Sequence, residues 1–145
     1  MRRLFNKNQA GVSRGAEAKK VDTEQQTVLV VDDSPTEMHV IRGILEKGGY
    51  QVITAVDGES GVAEAKHSKP DLILMDVVMP GLNGFQATRQ LSRNPETSEI
   101  PIIMVTTKSQ ETDRAWGLRQ GAREYVVKPV AAGELLNKIK SILNA

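Results

Sequence analysis

Short apolar runs alternate along this chain with segments in which apolar residues recur every three to four positions. Val28, Leu29, Val30 and Val31 form one run, closed by Asp32 and Asp33; Leu72, Ile73, Leu74 and Met75 form another, closed by Asp76. Unbroken runs of this length suit strands buried on both faces, and their alternation with helical patterns predicts βαβ units around a parallel sheet. Three further runs complete the set: Tyr50 to Ala55, Ile102 to Val105 before Thr106 and Thr107, and Tyr125 to Val127 before Lys128 and Pro129.

The intervening segments carry helix punctuation. Ser34, Pro35 and Glu37 supply a capping hydroxyl, a proline at the first helical position and an acid three residues after the cap, which predicts a capping box. Met38, Ile41, Ile44 and Leu45 then share one face, and Gly48 and Gly49 end the helix. A second helix follows Asp57 and Gly58, carries Val62, Ala63 and Ala65, and is foreclosed by Pro70. Asn83 and Gln86 predict another capping box and a helix through Leu91; a polar loop around Pro95 leads to the fourth strand. A helix from about Gln110 to Gln120 stops at Gly121, and Leu135, Leu136, Ile139, Ile142 and Leu143 mark the last one. Five strands and five helices fill the chain as a doubly wound α/β sheet, in which ligands bind at the carboxyl ends of the strands where strand order reverses.

Composition narrows the chemistry. At 145 residues one domain is expected, with no segment after Ala145 for a DNA-binding unit. Residues 1–26 carry six basic residues (Arg2, Arg3, Lys7, Arg14, Lys19, Lys20) against Glu17, Asp22 and Glu24, while the rest of the chain has a small acidic excess. These 26 residues lack a sustained apolar period and are expected to form a disordered polar tail; Leu4 and Phe5 among arginines loosely imitate a transit peptide, and a bacterial tail explains them as well. The acidic balance of the remainder argues against binding to nucleic acid or an anionic membrane. The absence of cysteine removes disulfides, zinc thiolates and thiol catalysis, and no apolar run is long enough to span a bilayer. A cytoplasmic location is expected.

If the first and third runs are neighbouring strands, Asp32, Asp33 and Asp76 converge on one crevice. Clustered carboxylates must raise a pKa or recruit a cation, and an all-oxygen site suits Mg²⁺. Thr106 or Thr107 would add a hydroxyl and Lys128 an ammonium. Each has an ordinary reading too: a strand-end acid as a solubilising loop residue, the acid pair as a helix cap (a role Ser34 fills better), Thr106 as a β-branched strand residue, Lys128 as solvated surface. His39 and His67 lack metal spacing and read as surface helix residues.

The combination resembles the receiver domain of two-component response regulators from Thr27 to Ala145. Receivers carry an acidic pair after the first strand, a phosphorylated aspartate after the third, Thr or Ser after the fourth and Lys-Pro after the fifth; all four occur here in order. The run Asp32 to Met38, the run Met75 to Leu91, Thr106-Thr107-Lys108, Trp116 and Arg119 to Ala122 are similar to small regulators of type IV pilus twitching motility. The resemblance implies a flavodoxin-like sheet of order 2-1-3-4-5. It implies Asp76 as the nucleophile that accepts a phosphoryl group from a phosphohistidine on a histidine kinase. Mg²⁺ would be ligated by Asp33, Asp76 and the main-chain oxygen of Val78, with Asp32 holding its waters. Thr106 would bond a phosphoryl oxygen, Lys128 would approach it as a point charge across a candidate cis Lys128-Pro129 bond, and Tyr125 would be the switch aromatic that moves inward with Thr106. Which threonine reaches the phosphate rests on the family pattern.

Val78 and Lys108 stand two residues after Asp76 and Thr106, where receivers border the path of the hydrolytic water. A downstream protein target is expected on the last strand and last two helices; Trp116 fits that surface as well as it fits half-buried packing. Rival readings fare worse. An aspartyl-phosphate phosphatase needs an acid two residues after its nucleophile, where Val78 and Ser34 stand, and neither GxxxxGK nor GxGxxG occurs for a nucleotide. The remaining alternative is an adaptor of the same fold that works without phosphorylation.

Overall fold

A computed structural model describes residues 25–144. The basic segment and the transit-peptide reading fall outside these residues, save for Gln25 and Gln26. The Gln26 carbonyl accepts from the Gln51 amide at 2.9 Å and Gln25 Nε2 donates to the Gly49 carbonyl at 3.0 Å.

The elements run β1 (Thr27–Val31), α1 (Pro35–Lys47), β2 (Gln51–Ala55), α2 (Gly58–Ser68), β3 (Leu72–Met75), α3 (Gly84–Arg93), β4 (Ile102–Thr106), α4 (Glu111–Gln120), β5 (Glu124–Val127) and α5 (Ala132–Leu143). All strand pairs are parallel, in the order β2-β1-β3-β4-β5. Alternate strand residues point to opposite faces, so two cores form. Leu29, Val31, Ile73, Met75 and Met104 pack with Val62, Ala65, Ala87 and Leu91 of α2 and α3. Val28, Val30, Leu72, Leu74, Ile103 and Val105 pack with Ile41 and Leu45 of α1 and Leu135 and Ile139 of α5. Each buried Val, Leu, Ile or Met among them contributes about 1.5–3 kcal/mol, which is why the unbroken runs mark strands more surely than any turn signal.

Register sets the site. Val31 lies level with Met75 and Thr106 with Val127, so the residues that leave β1, β3, β4 and β5 emerge at one end of the sheet. Asp57 and Asn83 cap α2 and α3 in reciprocal boxes, each accepting from the backbone N–H three residues on. The first expected box is different. Ser34 Oγ accepts from the Glu37 amide at 3.3 Å, but the Ser34 amide, which the Glu37 carboxylate would have taken, donates to Asp32 Oδ1 at 2.9 Å. Asp32 is nearer and already buried, so Glu37 is free to turn elsewhere.

Smaller differences have local causes. Tyr50 precedes β2 rather than opening it, because its amide bonds the Leu45 carbonyl at the end of α1. The second helix ends at Ser68, and Lys69, left-handed at φ 50°, turns the chain before Pro70. No helix among the described residues is long and apolar enough to cross a membrane.

Candidate functional site

The three acids meet. One carboxylate oxygen from each of Asp32, Asp33 and Asp76 lies within 4.8 Å of the other two, with Asp32 and Asp76 buried and Asp33 exposed. Each oxygen has a different load. Asp32 uses both: Oδ1 accepts from the Ser34 amide and Oδ2 from Lys128 Nζ at 2.8 Å. Asp76 Oδ1 accepts from the Val77 amide at 2.8 Å, leaving Oδ2 turned to Lys128 Nζ at 3.6 Å. Among the described residues nothing bonds the Asp33 carboxylate or the Val78 carbonyl. The donor set therefore fits a hard cation: two lightly loaded carboxylates, a free main-chain oxygen and a third acid already committed to the protein.

Burial pushes the Asp76 carboxyl above its ordinary range, and the charge of Asp32 adds to the rise; the Lys128 ammonium, the Val77 amide and the Thr106 hydroxyl pull against it. Burial alone would depress Lys128, but its bonds to Asp32 and Glu37 and the charge of Asp76 prevail and hold its pKa above the usual lysine value. This ammonium stays charged, with a side chain only 7% exposed. The Lys128-Pro129 peptide is cis, as expected.

Position separates the two threonines. Thr106 ends β4 fully buried, while Thr107 is exposed. Thr106 Oγ1 accepts from the Lys108 amide at 3.3 Å, and the Lys108 carbonyl accepts from Tyr125 Oη at 2.9 Å. Tyr125 is 1% exposed and Arg114 stacks over its ring at 5.4 Å from the centroid. The resemblance implied a ring that moves inward; here it is already inside, fixed by that hydroxyl. Val78 is exposed beside the acids, and the Lys108 ammonium faces Asp113 at 3.7 Å. His39 and His67 are exposed, outside the site. Trp116 on α4 is 46% exposed, with Leu118 close to it at 44%, so its ring is half covered by the fold and half open to solvent.

Two further residues contribute to the site. Glu37 bonds Lys128 Nζ directly, a contact between residues 91 positions apart that only the fold creates. Gly84 opens α3 so close to the β3–α3 loop that an added Cβ would sit 1.9 Å from the Asp76 carbonyl oxygen; its place after a capping asparagine was the available clue. Gly84 thereby lets α3 start in direct contact with the backbone of Asp76 and Val77.

The response regulator receiver domain model matches residues 28–140. Protein PilH of Pseudomonas aeruginosa is 60% identical over 116 residues, which cover 80% of this chain and 96% of PilH. Chemotaxis protein CheY4 of Vibrio cholerae superposes with a TM-score of 0.77 at 32% identity, over 82% of this chain and 99% of that one. The receiver domain of a Pseudomonas aeruginosa sensor histidine kinase, solved with a magnesium ion in its active site cleft, gives a TM-score of 0.78 at 32% identity, over 83% of this chain and 99% of that one. With its sheet order, its convergent acids and these matches together, the chain belongs to the response regulator receiver family of two-component systems.

Proposed function

We propose that this protein is a phosphoacceptor that takes a phosphoryl group from a histidine kinase on Asp76. The observation that carries this reading is a buried carboxylate oxygen, Asp76 Oδ2, that faces an ammonium at 3.6 Å within a cluster of acids suited to a divalent cation. Receiver domains are signalling domains that accept such groups rather than enzymes acting on external substrates, and here the chemistry would be confined to the domain itself. Oδ2 attacks phosphorus, a P–O bond forms, and the P–N bond to the donor imidazole breaks with its electron pair left on nitrogen. Asp33, Asp76 and the main-chain oxygen of Val78 would hold Mg²⁺, with Asp32 acting on it at one remove. Magnesium, when bound, offsets the repulsion between carboxylate and phosphoryl group and stabilises charge on the equatorial oxygens. Lys128 places its ammonium where those oxygens arrive, and Thr106 offers its hydroxyl.

The response would run through Lys108. Thr106 grips its amide and Tyr125 its carbonyl, so drawing the Thr106 hydroxyl toward a phosphoryl oxygen releases one end of a linkage that holds the aromatic ring. That shifts a pre-existing equilibrium of the face built from α4, β5 and α5, where exposed Trp116 would meet a downstream protein. Residues 27–145 form the signalling domain in this reading, and residues 1–26 are a dispensable tail. The likeness to PilH and to regulators of twitching motility supports a cytoplasmic role in a type IV pilus or chemotaxis-like pathway, without nucleic acid or membrane as partner.

The test is a labelled phosphodonor given to wild type, to Asp76→Asn and to wild type in EDTA. Label should appear on the wild type with Mg²⁺ alone. Stable aspartyl-phosphate on the Asn variant overturns the assignment, and a wild type that never labels favours an adaptor independent of phosphorylation.

A further inference from the structure

We infer that Glu37 is a positioning residue that holds the Lys128 ammonium in a resting pair and slows phosphoryl transfer until the lysine is released. The inference rests on the phosphoacceptor reading and adds to it a fourth carboxylate outside the metal cluster.

Glu37 stands at the third position of α1. The usual duty of an acid there is to bond the backbone N–H of the helix cap. Asp32 Oδ1 occupies that amide, and the Glu37 carboxylate reaches across to the residue that follows β5 and bonds Lys128 Nζ instead. The ammonium has three N–H donors. One goes to Asp32 at 2.8 Å, one to Glu37, and Asp76 Oδ2 stands farther off at 3.6 Å. The lysine is thus bound most tightly to the two carboxylates that do not accept phosphorus.

The two ends of this pair differ in environment. Lys128 is 7% exposed at its side chain and Glu37 is 43% exposed, so the carboxylate can return to water at small desolvation cost while the ammonium stays inside. Release therefore moves Glu37 and leaves Lys128 beside Asp76. Glu37 also rims a recess of about 180 Å³ with Val40, Ile41, Lys128, Pro129 and Val130.

Charge sharpens the effect. Asp32, Asp33, Asp76 and Glu37 bring four carboxyl groups to this site and Lys128 one ammonium, bonded to Asp32 and Glu37, so the formal charges sum to an excess of three negative. A divalent cation reduces the excess to one. Replacing Glu37 by glutamine removes that last charge before the anionic phosphoryl group approaches, and it frees an N–H donor of Lys128. The same change takes attraction from the cation, so its affinity must fall while transfer quickens. A residue that only supported the fold would not move these two quantities in opposite directions.

The test uses the full chain, wild type and Glu37→Gln, with phosphoramidate as donor. Its P–N bond breaks as the Asp76 P–O bond forms, and the nitrogen leaves as ammonia after protonation. At saturating Mg²⁺, initial labelling should be about three- to tenfold faster in Glu37→Gln. The Mg²⁺ dissociation constant should rise by about two- to fivefold, and the Lys128 ammonium signal, read by heteronuclear NMR without donor, should lose its protection from solvent exchange. Thermal unfolding of the variant confirms an intact fold. Wild type that acquires label while Glu37→Gln labels no faster, or a Lys128 signal with unchanged protection, overturns the role of Glu37 and leaves the phosphoacceptor reading standing. Wild type that never labels overturns both.

Discussion

Lys128 shows how much of this site is decided by one side chain. Its ammonium lies among Asp32, Glu37 and Asp76, and the first and last of these are buried. Removing it leaves acids without a counter-charge in a place water hardly reaches. Lys128→Met should therefore cost about 2–4 kcal/mol in denaturant unfolding without divalent metal, and Mg²⁺ in excess should restore a measurable part of that loss by binding the native state alone. A variant as stable as wild type without metal would show that the ammonium does not compensate the cluster. The acids and the lysine are legible in the amino-acid sequence, since each follows an apolar run that has to be a strand. The partner of Glu37 is not, because local spacing points to the nearest donor, the Ser34 amide, and local spacing does not show that Asp32 turns back to take it.

Among the elements, the loops after β3 and β4 would carry the proposed chemistry, and two predictions follow from them. Gly84 presses α3 onto the β3–α3 loop so tightly that a Cβ would meet the Asp76 carbonyl oxygen at 1.9 Å. Backbone cannot give way as a side chain does, so Gly84→Ala should destabilise by about 1–3 kcal/mol and weaken Mg²⁺ binding; a neutral effect on both would mean that the loop moves freely. Val78 and Lys108 govern the second prediction. Valine cannot orient a water, and Lys108 directs its ammonium to Asp113 at 3.7 Å. In the proposed reading neither would assist hydrolysis. Phosphate on Asp76 should decay about 10-fold faster in Val78→Asn, Lys108→Glu, a barrier lower by ~1.4 kcal/mol, followed after donor removal with the fold checked by circular dichroism. Equal lifetimes would assign control of the water to another residue. The helices themselves are readable from apolar spacing and caps. What spacing does not supply is the closed linkage Thr106, Lys108, Tyr125, which depends on β4 and β5 being neighbours in register.

For the molecule as a whole, the order β2-β1-β3-β4-β5 follows from family resemblance once alternation has established a parallel sheet; periodicity alone leaves strand order open, because every βαβ unit buries its apolar face equally well in several arrangements. The proposed boundary near residue 26 has its own test. A chain beginning at Glu24 keeps the Gln25 and Gln26 bonds to Gly49 and Gln51 and should match the full chain within about 1 kcal/mol of unfolding free energy, with equal labelling by phosphodonor. A larger loss would show that the basic segment docks on the domain.

If Asp76 is the acceptor, phosphorus arrives on one oxygen of one carboxylate, and the position of the new bond decides the matter. Phosphorylated protein would be reduced with borohydride, which converts an acyl phosphate to an alcohol, and the modified residue located by peptide mass spectrometry. Reduction at residue 76 alone, absent when Mg²⁺ is withheld, is the expected result; reduction at Asp32, Asp33 or Glu37 with Asp76 intact would show that another carboxylate is the acceptor.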